Sequence, residues 1–112
     1  MRIAYKIWLD NDGEAFGEGP RRLLVLVEQT GSLSAAAAAM GMSYSKAWRI
    51  IKQMETRLGF PLIERRTGGA EGGGSTLTAE ARDLIGRYNA LLEEAHRVLD
   101  RLYARHFEND VR

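Results

Sequence analysis

The chain has 112 residues, of which 45% are hydrophobic and 28% charged, and a formal net charge of +1. That composition fits one compact folded domain and excludes a disordered chain. The lack of cysteine excludes disulfides, thiolate metal sites and thiol nucleophiles, and no apolar run approaches the roughly 18 residues of a membrane span.

The opening stretch "IAYKIWLD" alternates apolar and polar residues from Ile3 to Leu9 and predicts a strand. Its charge at Lys6 and the lack of a small-residue cleavage site do not suit a signal peptide, so a cytoplasmic location is expected. Asn11-Asp12-Gly13 is a turn signal, and "EAFG" predicts a short return strand. Pro20 stands where a first helical turn tolerates it. Leu23, Leu24, Leu26 and Val27 then form one apolar face up to Gly31, which predicts a helix over 20–30.

Ser34 reads as the N-cap of a second helix built on "AAAAAMG", which Gly41 ends. Small side chains there allow close approach to a neighbour. Ser43 caps a third helix over 44–58, stopped by Gly59 and Pro61. Ala47, Ile51, Met54 and Leu58 recur on it as a core-facing stripe. Two helices joined by so short a turn form a helix-turn-helix. "PLIERRT" and "STLT" are strand-like pieces around "GGAEGGG", and they predict a hairpin wing over 62–78.

From residue 79 the pattern changes. Ala81, Ile85, Tyr88, Leu92, Ala95, Leu99 and Leu102 advance by alternating fours and threes, with Leu84, Leu91 and Val98 beside them. A helix over 79–105 would be about 40 Å long at 1.5 Å per residue. Such a stripe needs a partner, and Ile85, Tyr88, Leu92, Ala95, Leu99 and Leu102 are the expected dimerisation residues. The fold class is therefore mainly α with small β elements. A winged helix-turn-helix with an N-terminal β-hairpin occupies 1–78, a long dimerisation helix occupies 79–112, and no effector-binding domain is expected.

Charge is distributed unevenly along this plan. Residues 43–67 carry six bases and two acids, whereas the remainder is close to balance. A basic patch on the winged element can steer a polyanion. The second helix of such a pair enters the major groove of DNA. Its exposed side would present Ser45 and Arg49 to base edges, Arg49 being able to grip guanine with two hydrogen bonds. Tyr44 and Lys46 stand near the helix start, for phosphates or thymine methyls, and Lys52 a turn deeper for phosphate. Ser43 is first a cap. Ser34 offers a hydroxyl and free N–H groups as an anion site. Trp48, at the edge of the apolar stripe, has two readings, packing on the wing or touching a base. Arg65, Arg66 and Thr67 lie at the base of the wing, where they could grip backbone or minor groove.

The bland alternative is a solvated cationic face. Gly69 through Thr76 also reads G-x-x-x-x-G-S-T, one residue from a phosphate-binding loop, but Ser75 stands where that loop needs lysine. His96 and His106 lie ten residues apart on the long helix, too far for one metal site within a chain. No enzyme, metal or cofactor is expected.

"GSLSAAAAAMGMSYSKAWRIIKQME", "ERRTGGAEGGGSTLT" and the helix after them resemble the N-terminal DNA-binding domain of the molybdate-responsive ModE regulators. The wider likeness is to the LysR-type winged helix-turn-helix. The likeness covers nearly the whole chain, and the pairing of S-Y-x-x-A-W with a T-G-G-x-x-G-G-G wing is its most specific part. It implies a homodimer on a palindromic operator in double-stranded DNA. The family motif falls at Ser43, Tyr44, Lys46, Ala47 and Trp48, and at Thr67, Gly68 and Gly69. ModE proteins continue into a molybdate-binding region, whereas this sequence stops at Arg112, so molybdate sensing is not transferred. Three arrangements stay open: a stand-alone regulator, one that works with a separate sensor protein, or the DNA-binding part of a longer chain. A protein-interaction module and a non-specific architectural DNA-binding protein are the alternative functions.

Overall fold

The structure is a computed structural model and describes residues 1–66 and 74–107. In chain order its elements are β1 (Leu9–Asp10), β2 (Glu14–Phe16), α1 (Glu18–Thr30), α2 (Leu33–Ala39), α3 (Tyr44–Leu58), β3 (Ile63–Arg66), β4 (Gly74–Leu77) and α4 (Ala79–Phe107). The core lies where the three short helices, the wing strands and the first turns of α4 meet. Phe16, Leu23, Leu24, Val27, Ile51 and Leu62 are fully buried there. Each such side chain contributes about 1.5–3 kcal/mol by leaving water.

The expected strand over Ile3–Leu9 needs correction. Only Leu9 and Asp10 pair, antiparallel to β2, through a turn with positive φ at Asp12 and Gly13. The alternation has a different cause. Ile3, Tyr5, Ile7 and Leu9 are half-buried while Ala4, Lys6 and Trp8 are exposed, because one side of the segment lies along α4. Tyr88 donates its hydroxyl to the Ile7 carbonyl at 2.6 Å, and Tyr5 bonds to His96.

Helix α1 begins at Glu18, earlier than Pro20, and closes at Gly31 in the left-handed region. Glu18 accepts two bonds from Arg21. That pairing holds the Glu18 carboxyl below its ordinary range.

The cap of α2 also needs correction. Ser32, not Ser34, accepts the Ala35 N–H, at 3.1 Å. Starting two residues earlier places Leu33, Ala36 and Ala37 together on the buried face, whereas a cap at Ser34 would leave Leu33 outside the helix. Ser34 is an exposed residue of the first turn.

Helix α3 runs over the expected residues. Ser43 accepts the Lys46 N–H at 3.1 Å, and Gly59 closes the helix in the left-handed region. Ala47, Ile51 and Met54 are buried and Leu58 half-buried.

Strands β3 and β4 pair in register from Ile63↔Leu77 to Arg66↔Gly74. Ser75 N–H donates to the Gly31 carbonyl at 2.8 Å, which docks β4 on the α1–α2 turn. Thr78 links the wing to α4. Its hydroxyl accepts the Ala81 N–H and donates to the Pro61 carbonyl. Helix α4 then leaves the core, and the molecule measures 62 × 28 × 21 Å.

Along α4 the expected dimerisation residues divide. Tyr88 is buried in its own chain, edge-on to Phe16 with ring centroids 5.1 Å apart. Ile85, Leu92, Ala95 and Leu99 are half-buried. Leu102 is exposed, together with Leu91, Val98 and Phe107.

Candidate nucleic-acid interface

The outward face of α3 follows from what the inward face buries. With Ala47, Ile51 and Met54 in the core, helical spacing turns Ser45, Arg49, Lys52, Gln53 and Thr56 outward together, and all five are exposed. Arg49, Lys52, Gln53, Thr56 and Arg57 line one shallow groove on this side. Arg49 has no ion-pair partner among the described residues. Its five donors are therefore available to an acceptor arriving from outside.

Gln53 and Thr56 escaped the sequence reading, which stopped at the first two turns of the helix. Their spacing from Arg49 was the available signal. The Thr56 hydroxyl bonds back to the Lys52 carbonyl at 3.0 Å.

The wing side of α3 carries a second cluster. Tyr44 accepts a hydrogen bond from Arg65 of β3, and the Arg65 guanidinium lies 4.5 Å from the Trp48 ring centroid. Trp48 thus packs on the wing strand. Lys52 Nζ approaches the same ring at 4.4 Å and pairs with Glu55 at 3.2 Å.

Arg65 and Arg66 turn to opposite sides of the wing, as neighbours on a strand do. Arg66 is directed at the α1–α2 turn, its Nη2 3.5 Å from where a Cβ on Gly31 would stand. Thr67, Gly68 and Gly69 lie outside the described residues. Lys46 is exposed at the start of α3. Ser43 is occupied as the helix cap, and Ser34 stands on α2 without the capping role expected of it.

Two anchors of α3 were not anticipated. Arg57 donates to the Glu14 carbonyl at 3.0 Å while Asn11 donates to the Arg57 carbonyl at 2.7 Å, so the N-terminal hairpin is tied to the end of α3. Glu55 accepts the Leu62 N–H at 2.7 Å and holds the root of β3.

Among the described residues no group of three or more His, Asp or Glu could hold a metal ion. Among the described residues no helix is long and apolar enough to cross a membrane.

Comparison with known proteins agrees with this geometry. The chain is 38% identical over 105 residues to the molybdenum transport protein ModE of Azotobacter vinelandii, covering 93% of this chain and 39% of that protein. It is 38% identical over 83 residues to the DNA-binding transcriptional dual regulator ModE of Escherichia coli K12, covering 72% and 32%. The chain thus spans about a third to two fifths of the length of these relatives. Among solved structures it is similar to the DNA-binding domain of CbnR in complex with DNA, with a TM-score of 0.55 and 27% identity over 77% of this chain and 93% of that one. It is also similar to ArgP from Mycobacterium tuberculosis, with a TM-score of 0.52 and 26% identity over 72% of this chain and 30% of that one. The model of the bacterial regulatory helix-turn-helix proteins of the lysR family matches residues 21–82, and with its helix pair, wing and long helix in place, the chain belongs to that family.

Proposed function

We propose that this chain is the DNA-binding part of a sequence-specific transcriptional regulator. The observation that carries this reading is the outward face of α3. Ser45, Arg49 and Gln53 lie on one exposed surface, Arg65 stands beside it on a wing docked to the same helix pair, and Arg66 lies on the wing's other side by the α1–α2 turn. A helix presented in this way fits the major groove, where arginine reads guanine and glutamine reads adenine by paired hydrogen bonds. Tyr44, Lys46, Arg66 and Thr67 are the proposed contacts to backbone. Ser43 orders the helix start, and Ser34 is the proposed contact from α2.

The regulator acts as a homodimer in this reading. Leu91, Val98 and Leu102 form an exposed apolar edge beside Ile85, Leu92, Ala95 and Leu99. A second copy packed there would make the assembly two-fold and its operator palindromic, with half-sites about one helical turn apart or a multiple of that. Residues 1–78 would form the DNA-binding domain and 79–112 the dimerisation segment, with action in the cytoplasm where the DNA lies. Sensing is assigned to a separate sensor protein or to segments outside this chain.

Selection from a pool of random duplex DNA, with affinity repeated across a salt series, tests the reading. Enrichment of a palindromic motif with steep loss of affinity at high salt is the expected result. Salt-sensitive binding without enrichment would point to an architectural role. No binding would turn attention to protein partners of α4.

A further inference from the structure

Glu55 is the one acid on α3, and its side chain is only 14% exposed. One carboxylate oxygen accepts the Leu62 N–H at 2.7 Å and the other lies 3.2 Å from Lys52 Nζ. The carboxylate is therefore tied to the wing root. Lys52 is held from two directions, by this carboxylate and by the Trp48 ring at 4.4 Å. Both partners lie toward the wing side of α3, so the ammonium is drawn off the line of Ser45, Arg49 and Thr56.

Affinity for DNA of any sequence grows with the number of phosphates that cations neutralise, because each contact releases counterions. A lysine already paired with a fixed carboxylate contributes less to that term. Specificity is the difference between operator and non-operator affinity, so an electrostatic part shared by both cancels from it and sets the affinity common to every duplex.

On the reading that this chain binds DNA, we propose that Glu55 is a positioning residue that withholds Lys52 from the phosphate backbone, lowering non-specific affinity and leaving the sequence-reading contacts of α3 in place. A carboxylate that only tied down the wing root would leave Lys52 counted in the salt dependence.

The test uses the full chain and measures affinity for a random duplex pool across a salt series. Glu55→Gln keeps an acceptor of the same shape for the Leu62 N–H and removes the charge. Its affinity for the pool should rise several-fold at low salt, and the slope of log affinity against log salt should steepen by about 1. In a Lys52→Met background the same change should alter neither. An unchanged slope in Glu55→Gln would overturn the proposal, as would an equal change in the Lys52→Met background. Lys52→Met alone supplies a check that does not depend on the folding of any Glu55 variant. The proposal expects its slope to match that of the wild type, and a slope flatter by about 1 would overturn it. Wild-type protein that bound no duplex would overturn this proposal together with the DNA reading, whereas binding with either failed slope would overturn this proposal alone.

Discussion

The guanidinium of Arg65 lies 4.5 Å over the ring of Trp48, so a wing strand and the outward-facing helix meet through one aromatic side chain. Tyr44 accepts a hydrogen bond from the same guanidinium. A cation–π contact at a partly exposed site is worth about 0.5–1 kcal/mol. In a Lys52→Met background, which removes the other cation on this ring, Trp48→Leu should therefore weaken binding to a selected duplex by up to about 1 kcal/mol, close to five-fold, and Trp48→Phe should recover part of it. Fluorescence anisotropy with labelled duplex gives both values. A Leu variant with the affinity of its Lys52→Met parent would show that wing placement does not depend on this contact.

Arg49 should behave differently, since it stands on the groove face without an intramolecular ion pair among the described residues. Arg49→Ala should cost roughly 1–3 kcal/mol and relax specificity at one base pair. Repeating the duplex selection with the variant would show the relaxed position. Equal loss on every sequence would identify Arg49 as a phosphate contact.

Gly74 sets how closely β4 approaches the α1–α2 turn. A Cβ there would stand 2.7 Å from the Gly31 carbonyl oxygen and 3.1 Å from Arg66 Nη2. The first neighbour is backbone and cannot step aside, so Gly74→Ala must displace the wing strand and stretch the Ser75–Gly31 hydrogen bond. The expected cost is about 1–3 kcal/mol, as for other insertions into close-packed contacts. Urea unfolding measures it. A variant with the wild-type midpoint would show that the turn yields freely.

Most of the fold was legible because its signals are local. Ser43, the Ala47–Ile51–Met54 stripe and Gly59 specify α3 by themselves, and all act there as expected. Ser34 was misread because both Ser32 and Ser34 suit an N-cap, and the choice is made by Leu33, whose burial depends on distant residues. The Ile3–Leu9 alternation was misread for a related reason. A period of two reports one buried side but not what buries it, and here the cover is α4 rather than a neighbouring strand. The site followed the same division. Arg49 and Ser45 are found from helical spacing, while the Glu55–Leu62 and Arg65–Trp48 contacts depend on how the wing folds back.

The exposed edge of α4 gives a prediction about assembly. Val98 is 49% exposed and Leu102 is 38% exposed, one helical turn apart. If two copies pair there, Val98→Asp with Leu102→Asp should abolish the dimer, because each new carboxylate would lose water without gaining a partner. Sedimentation velocity would show a monomer for the double variant and a dimer for the wild type. Tyr88→Phe, whose ring is buried within its own chain, should leave the dimer intact. A dimeric double variant would place the subunit contact elsewhere.

Tyr88 also links stability to pH. Its ring packs edge-on to Phe16, and its hydroxyl donates to the Ile7 carbonyl at 2.6 Å. Burial raises its pKa above the ordinary phenol value, with the Glu18 carboxylate adding to the effect. Because the folded chain favours the neutral phenol, this contribution to stability is complete below the unfolded pKa of about 10 and is lost as pH rises through the higher folded value. Tyr88→Phe keeps the ring and loses the hydrogen bond, which should cost about 0.5–1.5 kcal/mol at neutral pH. It also removes the ionising group. Urea midpoints taken from about pH 7 to about pH 11 should therefore start lower for the variant and fall less steeply above about pH 10. Tyr5, whose pKa is also raised, is present in both proteins, so the difference between the two curves isolates Tyr88. Parallel curves would show that ionisation of Tyr88 is not coupled to unfolding.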